Sequence, residues 1–279
     1  MAKNAFYAQS GGVTAVINSS AAGVIETCRK HSDKIGNVYA GRNGIIGALT
    51  EDLIDTSKES AEDIAALKKT PSGGFGSCRF KLKSLEDNKR EYERLIEIFK
   101  AHDIGYFFYN GGGDSADTCY KVSQLSEKMG YPVQAIHVPK TVDNDLPITD
   151  NCPGFGSVAK YIAVSTLEAS YDVRSMAATS TKIFCIEVMG RHAGWIAAAG
   201  ALVEDYGIPV VTLFPEIEFD KDKFLAAVDA KVKEYGYCTV VISEGCHWPD
   251  GTFLAEQGTR DDFGHAQLGG AAPVVANMI

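Results

Sequence analysis

The sequence predicts an α/β protein built on parallel, doubly wound sheet, on three observations. Short bursts rich in β-branched and aromatic residues alternate with helix-period stretches along the chain. Seven such bursts over 279 residues fit two α/β lobes better than one. Polar, mostly glycine-bearing motifs recur just after the bursts, where open α/β sheets carry ligands beyond the carboxyl ends of their strands.

Taken in order, strands are expected at 4–9 (NAFYAQ), 37–42 (NVYAGR), 106–111 (YFFYNG), 132–139 (PVQAIHVP), 183–190 (IFCIEVMG), 209–216 (PVVTLFPE) and 238–245 (CTVVISEG). Helices are expected at 14–30, 59–68, 87–101, 115–129, 156–171, 192–205 and 221–235. The glycine-rich stretch 70–80, TPSGGFGSCRF, reads as a mobile loop. The final AAPVVANMI reads as the start of a helix without a cap or polar tail, so the available sequence is expected to end early.

Bulk composition narrows the function classes. With 27 basic against 36 acidic residues the formal net charge is −9, and no basic block suggests nucleic acid or a membrane surface as partner. An anionic ligand would have to be held by local cations and backbone N–H groups against that field. The seven scattered cysteines include no C-x-x-C pair, which points to a reduced, cytoplasmic chain without a disulfide framework or zinc site. The start lacks an apolar run long enough for a signal peptide, and AGWIAAAGALV at 193–203 is too short to span a bilayer.

Four stretches suit phosphate chemistry. SGGVTAVIN at 10–18 places Gly11 and Gly12 in a turn from strand to helix, where backbone N–H groups and the helix dipole welcome an anion; the plain alternative is a tight turn without a ligand. NGGGDSADT at 110–118 repeats the arrangement, with Gly113, Asp114 and Ser115 at a helix start. Asp114 could bind a metal, or it or Ser115 could simply cap the helix. Arg79 in SGGFGSCRF could fork onto phosphate oxygens or be a solvated surface arginine. PKTVDND at 139–145 brings together Lys140, Asp143 and Asp145: a cation for developing charge, a base for a hydroxyl proton and a carboxylate for magnesium. Its plain alternative is an Asx-rich turn satisfying its own backbone. Later, Arg191 in EVMGRHAGW and Glu244 in ISEG stand at strand ends, His192 reads as structural, and His265 in GHAQLGG could donate to a phosphate or be an ordinary loop histidine.

These motifs in this order closely resemble the 6-phosphofructokinase family, from SGG through GSCRF, GGGDS, PKTVDND, PGFGS and EVMGRHAGW to GHAQLGG. Asp114, where ATP-dependent relatives tend to have glycine, and Lys140, where they usually have glycine, look like the pyrophosphate-dependent branch. A carboxylate at 114 would crowd and repel a nucleotide α-phosphate, and an ammonium at 140 would hold pyrophosphate in the space that remains.

The resemblance implies the phosphofructokinase fold of two Rossmann-like three-layer αβα lobes, C-terminally short. Residues 1–155 would form a donor-binding lobe and 156–266 a sugar-phosphate lobe, with 267–279 starting a segment that returns to the first and the active site in the cleft. Asp143 would be the base for the 1-hydroxyl of fructose 6-phosphate, with Thr141, Val142 and Asp145 beside it and Asp145 near magnesium. Gly11, Gly12, Arg79, Gly113, Asp114, Ser115 and Lys140 would hold pyrophosphate, with Asp114 also a metal ligand. Met189, Gly190, Arg191, Glu244 and His265 would hold the sugar phosphate. Lys182 matches a family basic residue that reaches the sugar phosphate from a neighbouring subunit, which implies a homo-oligomer, dimer or tetramer. Arg260 is offset by one residue from a family arginine.

Three departures bear on these expectations. Gly113 stands where the family often has a magnesium-binding acid, which Asp114 would replace. Leu268 stands where ATP enzymes often carry arginine. The family also continues well beyond residue 279. An ATP-dependent phosphofructokinase and a non-catalytic regulatory subunit are the alternatives.

Overall fold

The first strand shows how the sequence builds its layers. In β1 (Lys3–Ser10) side chains alternate, so Phe6 and Ala8 enter one core while Ala5 and Tyr7 enter another on the opposite face. Each large apolar side chain fully buried this way contributes about 1.5–3 kcal/mol. The computed structural model describes residues 2–82, 84, 87–260 and 266–279. They form two compact units, Met1–Thr141 and Val142–Ile279.

In the first unit, α1 (Ile17–Lys30) carries the chain to β2 (Ile35–Gly41), parallel to β1. A short helix α2 (Ile45–Leu49) and an antiparallel edge strand β3 (Leu53–Asp55) follow. Next comes α3 (Ala61–Ala66), whose start is fixed by a reciprocal capping box between Ser60 and Asp63. β4 (Ser77–Cys78), α4 (Lys89–Ala101), β5 (Ile104–Gly111), α5 (Gly113–Lys128) and β6 (Gln134–Pro139) complete the unit. The order β3-β2-β1-β5-β6 means that the chain builds outward on one side of β1 and then crosses to the other. The switch point therefore lies between the carboxyl ends of β1 and β5. One face of the sheet is covered by α2, α4 and α5 around Phe6, Phe99, Phe107 and Tyr109, and the other by α1 and α3 around Tyr7, Ile25 and Ile64.

In the second unit, α6 (Phe155–Met176) precedes β7 (Ile183–Val188), α7 (Trp195–Ala201), β8 (Val210–Leu213), α8 (Lys221–Tyr235) and β9 (Cys238–Ser243). β9 lies between β7 and β8, parallel to both. The helix α8 begins where Asp220 accepts from the N–H groups of Asp222 and Lys223, and ends at Gly236 in the left-handed conformation. A two-stranded antiparallel ribbon, β10 (Glu256–Arg260) and β11 (Ala266–Leu268), leads to α9 (Ala271–Ala276). Helices α8 and α9 cover one face of the three-stranded sheet, through Phe224, Val228, Ala271 and Val275, while α6 and α7 cover the other.

All seven expected strands and seven expected helices are present. Three local expectations need correction. The first helix begins at Ile17, later than 14, because Thr14–Val16 forms a turn first. The helix expected over 192–205 starts at Trp195 and tightens into 3₁₀ geometry from Leu202. The stretch 70–80 is not simply a loop, since Ser77 and Cys78 pair with Gln9 and Ser10 as a parallel extension of the sheet.

Candidate functional site

The switch point of the first unit gathers two glycine-rich loops and three cations. At the end of β5 the chain approaches its neighbours so closely that a Cβ on Gly111 would lie 2.0 Å from Ser115 Oγ. Only glycine permits that approach. The helix α5 starts directly afterwards, with Gly112 as its N-cap and no side-chain cap. Ser115 Oγ instead donates to Ser10 Oγ at 2.8 Å, joining this loop to the end of β1. Asp114 sits in the first helical turn, where the dipole favours a carboxylate, and its Oδ1 lies 2.8 Å from Lys81 Nζ. Neither Asp114 nor Ser115 is spent as the helix N-cap.

Gly11 and Gly12 are arranged differently from the simple strand–helix turn expected. Gly11 N–H donates to the carbonyl of Cys78 at 3.0 Å, and Ser77 Oγ donates to the Gly11 carbonyl at 2.7 Å. The turn is thus tied to β4 and lies ahead of α1 rather than at its N-terminus. The cations beside it come from side chains. Lys140, almost fully buried, donates from Nζ to the Gly12 carbonyl and stands 3.5 Å from where a Gly11 Cβ would be. Arg79 Nη2 stands 3.4 Å from the corresponding position on Gly12. Both glycines therefore keep space open under a cation.

Beneath these loops runs a buried polar chain that positions them. Asn110 on β5 donates to the Val138 carbonyl at 2.8 Å and accepts from Tyr7 Oη at 2.9 Å. Gln9 Nε2 donates to Asn18 Oδ1 at 3.2 Å, and Asn18 also accepts from the Gly74 N–H and donates to the Thr70 carbonyl. This network couples the end of β6, which delivers Lys140, to the glycine loop, which delivers Arg79 and Lys81. Such networks rigidify a site to the extent that their members are satisfied; here Gln9 Oε1 is buried without a hydrogen-bond partner among the described residues.

In the second unit, the loops after β7 and β9 are packed against each other. Gly190 adopts a φ of +134°, and its carbonyl accepts from Ser243 Oγ. The Glu244 N–H donates to the Val188 carbonyl at 2.9 Å. A Cβ on Gly245 would lie 1.9 Å from the Arg191 carbonyl oxygen, so the two loops touch through backbone. Arg191 Nε is buried without a hydrogen-bond partner among the described residues. An orphaned guanidinium donor is costly, and a phosphate oxygen would satisfy it. Met189 is exposed beside it, and Glu244 is half-buried.

The DND stretch is shaped by its central residue. Asn144, buried and with φ +57°, accepts from the Cys152 N–H at 2.7 Å and donates to the Asp150 carbonyl at 3.3 Å. These bonds reach six and eight residues along the chain, so Asn144 pins the wider loop rather than forming an Asx-turn. Asp145 is exposed, Asp143, Thr141 and Val142 are half-buried, and Val142 packs on the α6–α7 core.

Lys182 donates to the Ala177 carbonyl at 2.7 Å, at the C-terminal end of α6. His192 is exposed and packs near Phe253, in keeping with a structural residue. His265 lies outside the described residues, as does the side chain of Arg260, whose backbone closes β10. Among the described residues no group of three or more His, Cys, Asp or Glu could hold a metal by itself. Magnesium is commonly bound through one or two carboxylates plus substrate phosphates, and Asp114 or Asp145 can serve in that way. Sequence reasoning passed over Lys81, although it stands two positions after Arg79 on the same loop. The buried Leu82 beside it, which fixes the loop in the core, was the available signal.

The fold agrees with known proteins. The chain is 74% identical over 280 residues to a pyrophosphate–fructose 6-phosphate 1-phosphotransferase of Methylococcus capsulatus, covering 100% of this chain and 67% of that one. It is 71% identical to the protein of the same name from Halomonas elongata, covering 99% and 66%. The crystal structure of a pyrophosphate-dependent phosphofructokinase from Nitrosospira multiformis superimposes with a TM-score of 0.89 at 72% identity, covering 100% of this chain and 66% of that one. The chain thus spans about two thirds of the length of the relatives it matches. The sequence profile described as Phosphofructokinase matches residues 4–279, and the chain belongs to that family.

Proposed function

We propose that the protein transfers a phosphoryl group from pyrophosphate to the 1-hydroxyl of fructose 6-phosphate, giving fructose 1,6-bisphosphate and phosphate, reversibly. The observation that carries this reading is the side-chain filling of the first unit's switch point. Asp114 occupies the first turn of α5 and Lys140 reaches over Gly11 to the Gly12 carbonyl. A small inorganic donor suits the remaining space, whereas a nucleotide would meet a carboxylate where its α-phosphate belongs. The names of the relatives support the same choice of donor.

The roles follow from charge and position. Arg79, Lys140, Ser115 and the glycines 11, 12 and 113 hold pyrophosphate; the cations neutralise the charge that develops on the moving phosphoryl group. Asp143 takes the proton from the 1-hydroxyl as its oxygen bonds to phosphorus, and the bridging P–O bond breaks to release phosphate. Met189, Gly190, Arg191 and Glu244, with Thr141, Val142, Lys182, Arg260 and His265, bind the sugar phosphate. Arg191 Nε is the best-supported of these, because its donor is buried and unsatisfied among the described residues. Asp114 or Asp145 would hold magnesium together with the substrate phosphates, and the ion would supply charge neutralisation there. Catalysis of this kind is mostly positioning and electrostatics.

We further read the protein as a cytoplasmic homo-oligomer, a dimer or tetramer, without nucleic-acid or membrane partners. None of the described helices is long and apolar enough to cross a membrane. A donor screen on the full-length protein tests the function. Turnover of fructose 6-phosphate with pyrophosphate and none with ATP is expected, and turnover with ATP alone rejects the assignment.

A further inference from the structure

Lys81 stands beside the donor loops without a role in the reading above. Its ammonium lies 2.8 Å from Asp114 Oδ1, and the two side chains are 32% and 35% exposed. The neighbouring Leu82 is fully buried in the core formed with α4 and β5, which anchors the backbone that presents Lys81. Two residues upstream, Arg79 covers Gly12. The loop therefore delivers two cations to the same end of the sheet, one to the glycine turn and one to the carboxylate.

A carboxylate in a pyrophosphate site poses an electrostatic difficulty. It excludes a nucleotide by crowding and repulsion, but unbalanced it would repel pyrophosphate as well. We propose that Lys81 is a specificity-determining residue that acts through Asp114. Its ammonium cancels the carboxylate's charge toward the small donor while leaving its bulk in the path of a nucleotide. A carboxylate has two oxygens and about four acceptor positions, so pairing with Lys81 is compatible with a magnesium ion on the same group. This inference rests on the proposed use of pyrophosphate and adds a residue to the donor choice.

The test uses the full-length protein and three single variants, Lys81→Gln, Lys81→Arg and Asp114→Asn, with the Lys81→Gln/Asp114→Asn double variant. Initial rates give KM for pyrophosphate and for fructose 6-phosphate, and calorimetric titration with magnesium pyrophosphate gives binding directly. Lys81→Gln is expected to raise KM for pyrophosphate about two- to fivefold, the scale of a partly exposed charge interaction. KM for fructose 6-phosphate should stay unchanged, Lys81→Arg should restore the parent value, and the defect should shrink in high salt. In the Asp114→Asn background the Lys81→Gln effect should largely vanish, because the charge it offsets is gone. A Lys81→Gln variant that binds pyrophosphate as the parent does overturns the role of Lys81 alone. An effect of equal size with or without the Asp114 carboxylate also overturns it. A parent protein that binds no pyrophosphate overturns both this inference and the function on which it rests.

Discussion

Ser115 Oγ donates to Ser10 Oγ across 2.8 Å, with both residues buried, and this bond ties the first turn of α5 to the end of β1 where the strand order reverses. Replacing Ser115 with alanine leaves the Ser10 hydroxyl without that donor. The expected cost is about 1 kcal/mol, read as a lower denaturant midpoint at unchanged m-value. KM for pyrophosphate should rise with it, since the bond fixes the spacing of the donor loops. Unchanged stability and KM would show that the loops hold their places without it.

Asp143 is assigned the proton. Asp143→Ser should lower kcat by about 10²–10⁴-fold, the usual worth of a positioned base, with little change in fructose 6-phosphate binding. Equal losses in binding and turnover would make Asp143 a binding residue instead.

Two glycines make opposite predictions about bulk. A Cβ at Gly245 would meet the Arg191 carbonyl at 1.9 Å, so Gly245→Ala should cost about 1–3 kcal/mol and weaken sugar-phosphate binding by displacing Arg191. A Cβ at Gly113 meets nothing within 4 Å, and Gly113→Ala should be neutral or stabilising by up to about 1 kcal/mol. Thermal denaturation of the pair checks both. A well-folded Gly245→Ala with normal affinity would contradict the packing of the second unit's loops.

The buried thiols predict alkaline weakening. Burial pushes Cys119 and Cys238 up to about 11 and Cys246 up to about 12, from an ordinary value of 9.0. Burial likewise raises the Tyr92 hydroxyl to about 12. Above pH 9 the unfolded chain loses thiol protons that the folded chain keeps, so the unfolded state binds fewer protons and stability falls with rising pH. The thiol contribution is complete below pH 9 and is lost progressively between 9 and 12. Urea denaturation across that range checks the direction. The same burial should leave these three cysteines unreactive toward thiol reagents until the protein unfolds.

The regular fold was legible because its signals are local. Runs such as CTVVIS and YFFYNG admit little but buried strand, and Asp220 and Gly236 mark the two ends of α8. The pieces that escaped are short. β3 and β4 have three and two residues, too few to show a period, and exist only through pairing with β2 and β1. In the site, glycine spacing announced the loops, but not what binds them together. The Ser10–Ser115 bond spans 105 positions and the Lys81–Asp114 pair joins separate elements, so neither leaves a local pattern. Gly11 looked like a helix-start anion site and is instead tied by its backbone to Ser77 and Cys78.

The central claim concerns Asp114 and Lys140, and donor choice measures it most directly. Initial rates with pyrophosphate and with ATP should be compared between the full-length parent and an Asp114→Gly/Lys140→Gly variant. The parent should use pyrophosphate alone, and the variant should lose most of that activity while gaining measurable turnover with ATP. A variant that keeps the parent's rate and preference for pyrophosphate would contradict the assignment of donor selection to these two side chains.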